Sequence, residues 1–198
     1  KPNLLPIPYV KQDEVDPPPK TVNHVFQSQC KHVWLEAMKV EIDGLEANET
    51  WSPVDDLSDE ESPIDSKWIF QWKTDEHGYV VKVKARLVFR GDNQEIGEVS
   101  AFSPTAPATT NRVAAALACA RGRKIFHFDV EQAFVQSDLK DAVYMRLPQG
   151  LGKGSGTIVR LRETLYGLRQ AAREWFTKLA RTLGAPGFEQ SLADPCVY

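Results

Sequence analysis

Between residues 29 and 47, apolar positions fall at Trp34, Met38, Ile42 and Leu45. Steps of four, four and three put them on one stripe, so the segment predicts an amphipathic helix that docks on the next part of the chain. Past residue 66 the period changes to two. WIFQWK and YVVKVKARLVF flank TDEHG, a strand-turn-strand pattern with glycine in the turn. In the second strand Lys82, Lys84 and Arg86 share one face and Val81, Val83, Ala85 and Leu87 take the other. A solvated outer face and an anion-binding face both fit this pattern.

Further along, PATTNRVAAALACAR, residues 107 to 121, predicts a buried helix ended by Gly122. IFHFDV, residues 125 to 130, predicts a strand, VYMRLP a short one, GLGKGSG a connector and TIVRL another strand. A helix follows Gly167, with Leu168, Ala172, Trp175, Phe176 and Leu179 along one flank, and Gly184 and Pro186 stop it. DPCVY, at the C-terminal end, predicts the start of a strand. At the other end, Pro2, Pro6, Pro8 and Pro17 to Pro19 disfavour helix and sheet. The chain thus divides into three regions: a Pro-rich linker over 1–28, a helix with the acidic loop DDLSDEESPIDS over 29–65, and the main body over 66–198.

Composition sharpens this division. Residues 1–65 hold 5 Lys/Arg against 14 Asp/Glu, which leaves 19 against 13 of the chain's 24 and 27 for the remainder. The body is basic, as a polyanion-binding protein or a solvated surface would be. At 198 residues the chain is one domain or part of a larger one, and its first residue, Lys1, reads as a cut in a longer polypeptide. Cys30, Cys119 and Cys196 are odd in number and lack metal-ligand spacing. They read as reduced thiols in or near the core of an intracellular protein, cytoplasmic or nuclear. No apolar run is long enough to span a membrane.

Asp129 poses the chemical question. An acid flanked by Phe128 and Val130 in an apolar run must be protonated, paired, exposed at a strand end or bound to a metal. Other motifs carry less. GLGKGSG lacks the spacing of a phosphate loop. The four histidines, His127 among them, have no ligand spacing. Asp55 and Asp56 in PVDDL read as part of a solvated acidic loop.

Taken together, KWIFQWK and YVVKVKARLVFRG, then AFSPTAPATTNRVAAALA, FDVEQAF, VYMRLPQG and LYGLRQAAREW, in this order, resemble the copia-type retrotransposon reverse transcriptase domain. The resemblance covers about residues 34 to 198, including the leading helix WLEAMKVEIDGLEANETW. It implies an α+β fold, the fingers and part of the palm of a right-hand polymerase, with residues 66–198 forming both. It implies that Asp129 is the first palm aspartate, holding magnesium together with the Val130 carbonyl. It further implies that Phe134 lies under the incoming sugar as a steric gate, and that Lys84 and Arg86 hold the triphosphate of a dNTP. Before the resemblance is considered, Phe134 reads equally well as a core residue. Gly167 and Gln170 match the block near template and nucleotide, and Arg169 and Arg173 are candidates for phosphate contacts.

The partners implied are an RNA or DNA template-primer, a dNTP, and the rest of a Pol polyprotein: the remaining palm, thumb, ribonuclease H and integrase. No membrane partner is implied. Two local departures accompany the match: Glu131-Gln132 stands where the family usually has Lys-Thr, and Ala172 where proline is common. A Tyr-x-Asp-Asp element with the second pair of catalytic aspartates is expected after DPCVY and is not in this sequence. The chain alone is therefore expected to show little or no polymerase activity. The alternative is a remnant that binds nucleic acid or protein without catalysis.

Overall fold

The computed structural model describes residues 10–58, 61–94 and 101–198. Residues 1–9 of the expected linker and part of the acidic loop lie outside the described residues. The helices are α1 (Val22–Gln27), α2 (Lys31–Ala47), α3 (Ala108–Ala120) and α4 (Ala171–Gly184). The strands are β1 (Trp51–Pro53), β2 (Ile64–Thr74), β3 (Val80–Phe89), β4 (Tyr144–Arg146) and β5 (Ile158–Leu161). They form a mixed sheet in the order β1-β5-β4-β2-β3, with β2 and β4 parallel and the other pairs antiparallel.

The β2–β3 hairpin organises the core. Alternation buries Trp68, Phe70 and Trp72 on β2 and Val83, Ala85, Leu87 and Phe89 on β3. Helix α2 lies against this face. Trp34 sets its ring edge-on to Phe70 at 5.5 Å and tilted over Trp72 at 4.3 Å, contacts worth more than their buried area. Thr50 donates its hydroxyl to the Leu45 carbonyl at 2.8 Å, satisfying an end group of α2. The helical stripe is as expected, with Trp34, Met38 and Leu45 buried.

Several expectations are corrected. Val81 is exposed and Val80 is buried instead. A bulge between Lys73 and Thr74 shifts the register there, reversing which residue faces inward. Residues 10–28 are not a detached linker. The Val10 carbonyl accepts the Val80 N–H at 2.9 Å, the Asp16 carbonyl accepts the Trp72 indole N–H at 2.9 Å, and α1 buries Val22 and Val25. Prolines exclude helix only locally; Thr21 supplies an N-cap, and the VNHVF that follows it buries Val22 and Val25.

The body departs most from expectation around residue 125. IFHFDV forms no strand, and its apolar Phe126 and Phe128 are 73% and 84% exposed. Val130 is exposed as well. Alternation creates a strand only where a second strand takes its N–H and C=O groups, and among the described residues none pairs with this segment. Helix α3 forms as read but buries none of its residues. Cys119, expected in or near the core, is consequently exposed, whereas Cys30 and Cys196 are half-buried. DPCVY forms a turn: Asp194 accepts the Cys196 N–H at 2.9 Å and the Thr110 hydroxyl at 2.6 Å, so this segment ties to α3 by side chains.

Candidate functional site

The cationic outer face of the hairpin is the broadest feature of the site. Arg86 stands opposite Ile69, Lys84 opposite Gln71, and Lys82 directly opposite Lys73. Like charges facing across a pair repel. The crowding is felt at Lys84, whose pKa is pulled down by partial burial first and then by Arg86, Lys82 and Lys73, while Asp129 opposes the shift. Asp129 thus acts on the same cationic ribbon, although its own segment is exposed.

The loop after Asp129 is held at both ends. Gln132 adopts a left-handed backbone, φ 52°, and its side-chain oxygen accepts the Asn48 amide at 3.0 Å. Gly44 of α2 makes room for it: a Cβ there would lie 2.5 Å from Gln132 Nε2. This accounts for a glycine inside a helix, where it is otherwise unfavourable. It also gives Gln132, one of the two local departures near Asp129, a docking task. The chain then makes a single 3-10 turn over Ala133–Gln136 that buries Val135 and leaves Phe134 half-buried.

Phe134 meets Tyr166 edge-on at 5.4 Å, and the Arg86 guanidinium lies 5.5 Å from the centroid of the same Tyr166 ring. Tyr166 therefore joins the aromatic turn to the cationic strand through a cation–π contact. Burial raises its phenol pKa, and the charges of Glu41 and Asp129 push in the same direction against Arg86. The Tyr166 carbonyl accepts the Phe89 N–H at 2.8 Å.

Lys84, Arg86, Asp129 and Phe134 are brought to one region of the molecule, with Gly167 next to Tyr166. Gln170 is directed inward instead: it is 2% exposed, and its side-chain oxygen accepts the Gln94 amide at 3.1 Å. Arg169 is half-buried and donates its Nε–H to the Gly91 carbonyl at 2.9 Å. Arg173 is exposed on α4. Sequence reading missed Tyr166 and Glu41. Tyr166 directly precedes the noticed Gly167. Glu41 is an acid lying between Met38 and Leu45 at helical spacing, a polar residue beside an apolar stripe.

Magnesium is bound through one or two carboxylates completed by water and phosphate oxygens. Asp129, an exposed acid beside a cationic ribbon, fits one such ligand, with the Val130 carbonyl adjacent in sequence. Among the described residues no group of three His, Cys, Asp or Glu side chains could hold a metal unaided. No described helix is long and apolar enough to cross a membrane.

Known proteins similar to this chain include a family and several relatives. The family described as reverse transcriptase (RNA-dependent DNA polymerase) matches residues 48–198. The retrovirus-related Pol polyprotein from transposon TNT 1-94 of Nicotiana tabacum is 33% identical over 92% of this chain. Those from transposons RE2 and RE1 of Arabidopsis thaliana are 35% and 36% identical, each over 83% of it. The chain spans 14% of the length of the first and 12% of each of the others. No solved structure matches it.

Proposed function

The chain belongs to the reverse transcriptase (RNA-dependent DNA polymerase) family, and on that premise we propose that it contributes the nucleotide-binding side of a retrotransposon DNA polymerase. In this reading β2 and β3 are the fingers, and the segment around Asp129 with its following turn is the front of the palm. Lys84 and Arg86 bind the dNTP triphosphate, with Arg86 the stronger because its planar fork can make two parallel bonds to phosphate oxygens. Phe134, braced by Tyr166, limits the space beneath the sugar. Asp129 and the Val130 carbonyl hold magnesium in company with the substrate phosphates. When bound, the metal lowers the pKa of the primer 3′-hydroxyl and offsets charge on the leaving pyrophosphate.

One observation carries this reading: Asp129, from a distant stretch of the sequence, acts electrostatically on Lys84 of β3 and on Tyr166, the ring over which Arg86 of the same strand lies. Arg169 and Gln170 act in it as supports, through Gly91 and Gln94, and not as direct contacts. Template-primer and the other parts of a Pol polyprotein are the partners that the reading calls for.

Calorimetric titration of Mg·dNTP into the chain tests it. Arg86→Gln should weaken binding by about tenfold, the loss of a charge-assisted bidentate contact, and Asp129→Asn should remove the magnesium dependence. Equal affinity in wild type and both variants would refute the assignment. Asp129 is the only acid assigned to the metal here, so the 198-residue chain by itself should extend a primer far more slowly than a domain that supplies further metal ligands. Comparable single-turnover rates would contradict that expectation.

A further inference from the structure

A groove of about 350 Å³ runs beside α2, a size at which small ligands and peptide side chains are held. Leu35, Met38 and Ile42 of α2, Trp51 of β1, and Leu147 and Leu151 from the stretch after β4 line it. Leu35, Ile42, Trp51 and Leu151 are only half-buried, so apolar surface stays open to solvent there. The stretch after β4 includes GLGKGSG, residues 150–156, the glycine-rich motif without a phosphate-loop spacing. Gly150, at φ +96°, lets it close on α2: a Cβ there would lie 2.8 Å from Met38 Cε. Bonds within the stretch then fix it, the Leu151 N–H donating to the Ser155 hydroxyl at 3.2 Å and the Gly156 N–H to the Leu147 carbonyl at 3.0 Å. The groove is therefore a built feature.

Its charged lining residues are Lys39, Asp43 and Glu46. Both acids are exposed, and neither has an ion-pair partner among the described residues. They stand toward the C-terminal end of α2, where the helix's own carbonyls are negative and the last turn holds no base. Such an excess of negative charge beside open apolar surface suits a cation on a partner and repels a polyphosphate. We propose that this groove docks a peptide segment in which large apolar side chains are followed by arginine or lysine. The apolar groups fill the groove, and the cation meets Asp43 and Glu46. Arginine suits the rim better than lysine, because its fork of donors can serve both carboxylates. The groove shares no residue with Lys84, Arg86 and Asp129, so the inference stands apart from the nucleotide-binding reading.

The two parts of the groove divide the work. Apolar contact favours any partner with a leucine-sized side chain, whatever its charge. The rim chooses among such partners, since an acidic segment meets like charge and a basic one meets its complement. Preference for a basic segment should therefore fade at high salt, while the apolar contribution persists.

An acetylated dileucyl-diarginine peptide amide, with diglutamine and diglutamate counterparts, titrated into the full 198-residue chain tests the proposal, with the Trp51 indole N–H resonance as the readout. The arginine peptide should bind about fivefold more tightly than the glutamine peptide, as two partly screened charge contacts would give, and the glutamate peptide most weakly. The double variant Asp43→Asn, Glu46→Gln should lose this order of preference and keep its affinity for the glutamine peptide, a pattern that mere loss of structure does not produce. Gly154→Leu should block all three peptides. Gly154 lines the groove outside the left-handed region, and a Cβ there meets only Leu151 Cβ, at 3.8 Å, so the fold should tolerate the new side chain. Equal binding of the arginine and glutamate peptides, or a Trp51 resonance that none of them moves, would overturn the proposal. So would sedimentation showing wild type as a dimer and Gly154→Leu as a monomer, because a second copy would then be the occupant.

Discussion

At the scale of single residues, two glycines decide how closely the hairpin meets the turn before α4. A Cβ on Gly167 would lie 2.1 Å from the Phe89 carbonyl oxygen, and one on Gly91 would lie 2.1 Å from the Gly167 carbonyl oxygen. Gly167 also has φ +91°, in the region that favours glycine. The close approach at Gly167 is to the protein's own backbone at Phe89. Gly167→Ala should lower stability by roughly 3 kcal/mol, combining backbone strain with a steric clash, as read from urea unfolding. Glu41 has a consequence for stability. Its folded-state pKa is raised, so the folded chain binds more protons than the unfolded one between the ordinary and raised values. Its contribution to stability is thus fully present below the ordinary glutamate range and is lost as pH rises through the raised value. Chemical denaturation across that window should show wild type losing stability relative to Glu41→Gln as pH increases.

Among the elements, α2 has the widest role. It covers the apolar face of the hairpin through Trp34, receives Gln132 at Gly44 and Asn48, and presents Glu41 to β3. Trp34 is fully buried, so Trp34→Ala should cost about 3–5 kcal/mol from lost apolar contact and a cavity. Tripolyphosphate binding should weaken along with the melting temperature, because the helix positions both the ribbon and the Asp129 loop. The segment over 123–130 behaves in the opposite way. Its exposed Phe126 and Phe128 have apolar alternation without a neighbouring strand among the described residues. Amide hydrogen exchange should therefore be fast across 124–130 and slow at the positions of β2 and β3 whose N–H groups pair across the hairpin. Slow exchange in that segment would show that it is paired.

For the whole molecule, charge matters more than shape. The acidic first third and the basic remainder leave a formal net charge of −3 overall, yet on the proposed reading a polyanionic partner would meet the local field of the basic part. Affinity for a template-primer duplex should fall steeply and log-linearly with salt, since each neutralised phosphate releases counterions. Asp129→Asn should leave that slope unchanged, separating duplex binding from metal chemistry. A salt-independent affinity, or none at low salt, would count against nucleic acid as the partner.

The chain's periodicity by itself determined α2, the β2–β3 hairpin, β4 and β5, because in each the pattern that calls for an element also buries the face it creates; α4 forms where the pattern places it, with its apolar flank only half-buried. The order of the motifs likewise carried the family. Only the tertiary structure decided the rest. An alternating run such as IFHFDV needs a second strand to become one, and a bulge at Lys73 can reverse which of Val80 and Val81 faces inward. Gln170 and Arg169 look like ligand residues in sequence, but Gln94 and Gly91 claim them in the fold. Tyr166 acquires its meaning only beside Arg86 and Phe134. Such roles depend on contacts between distant segments, which local pattern does not encode.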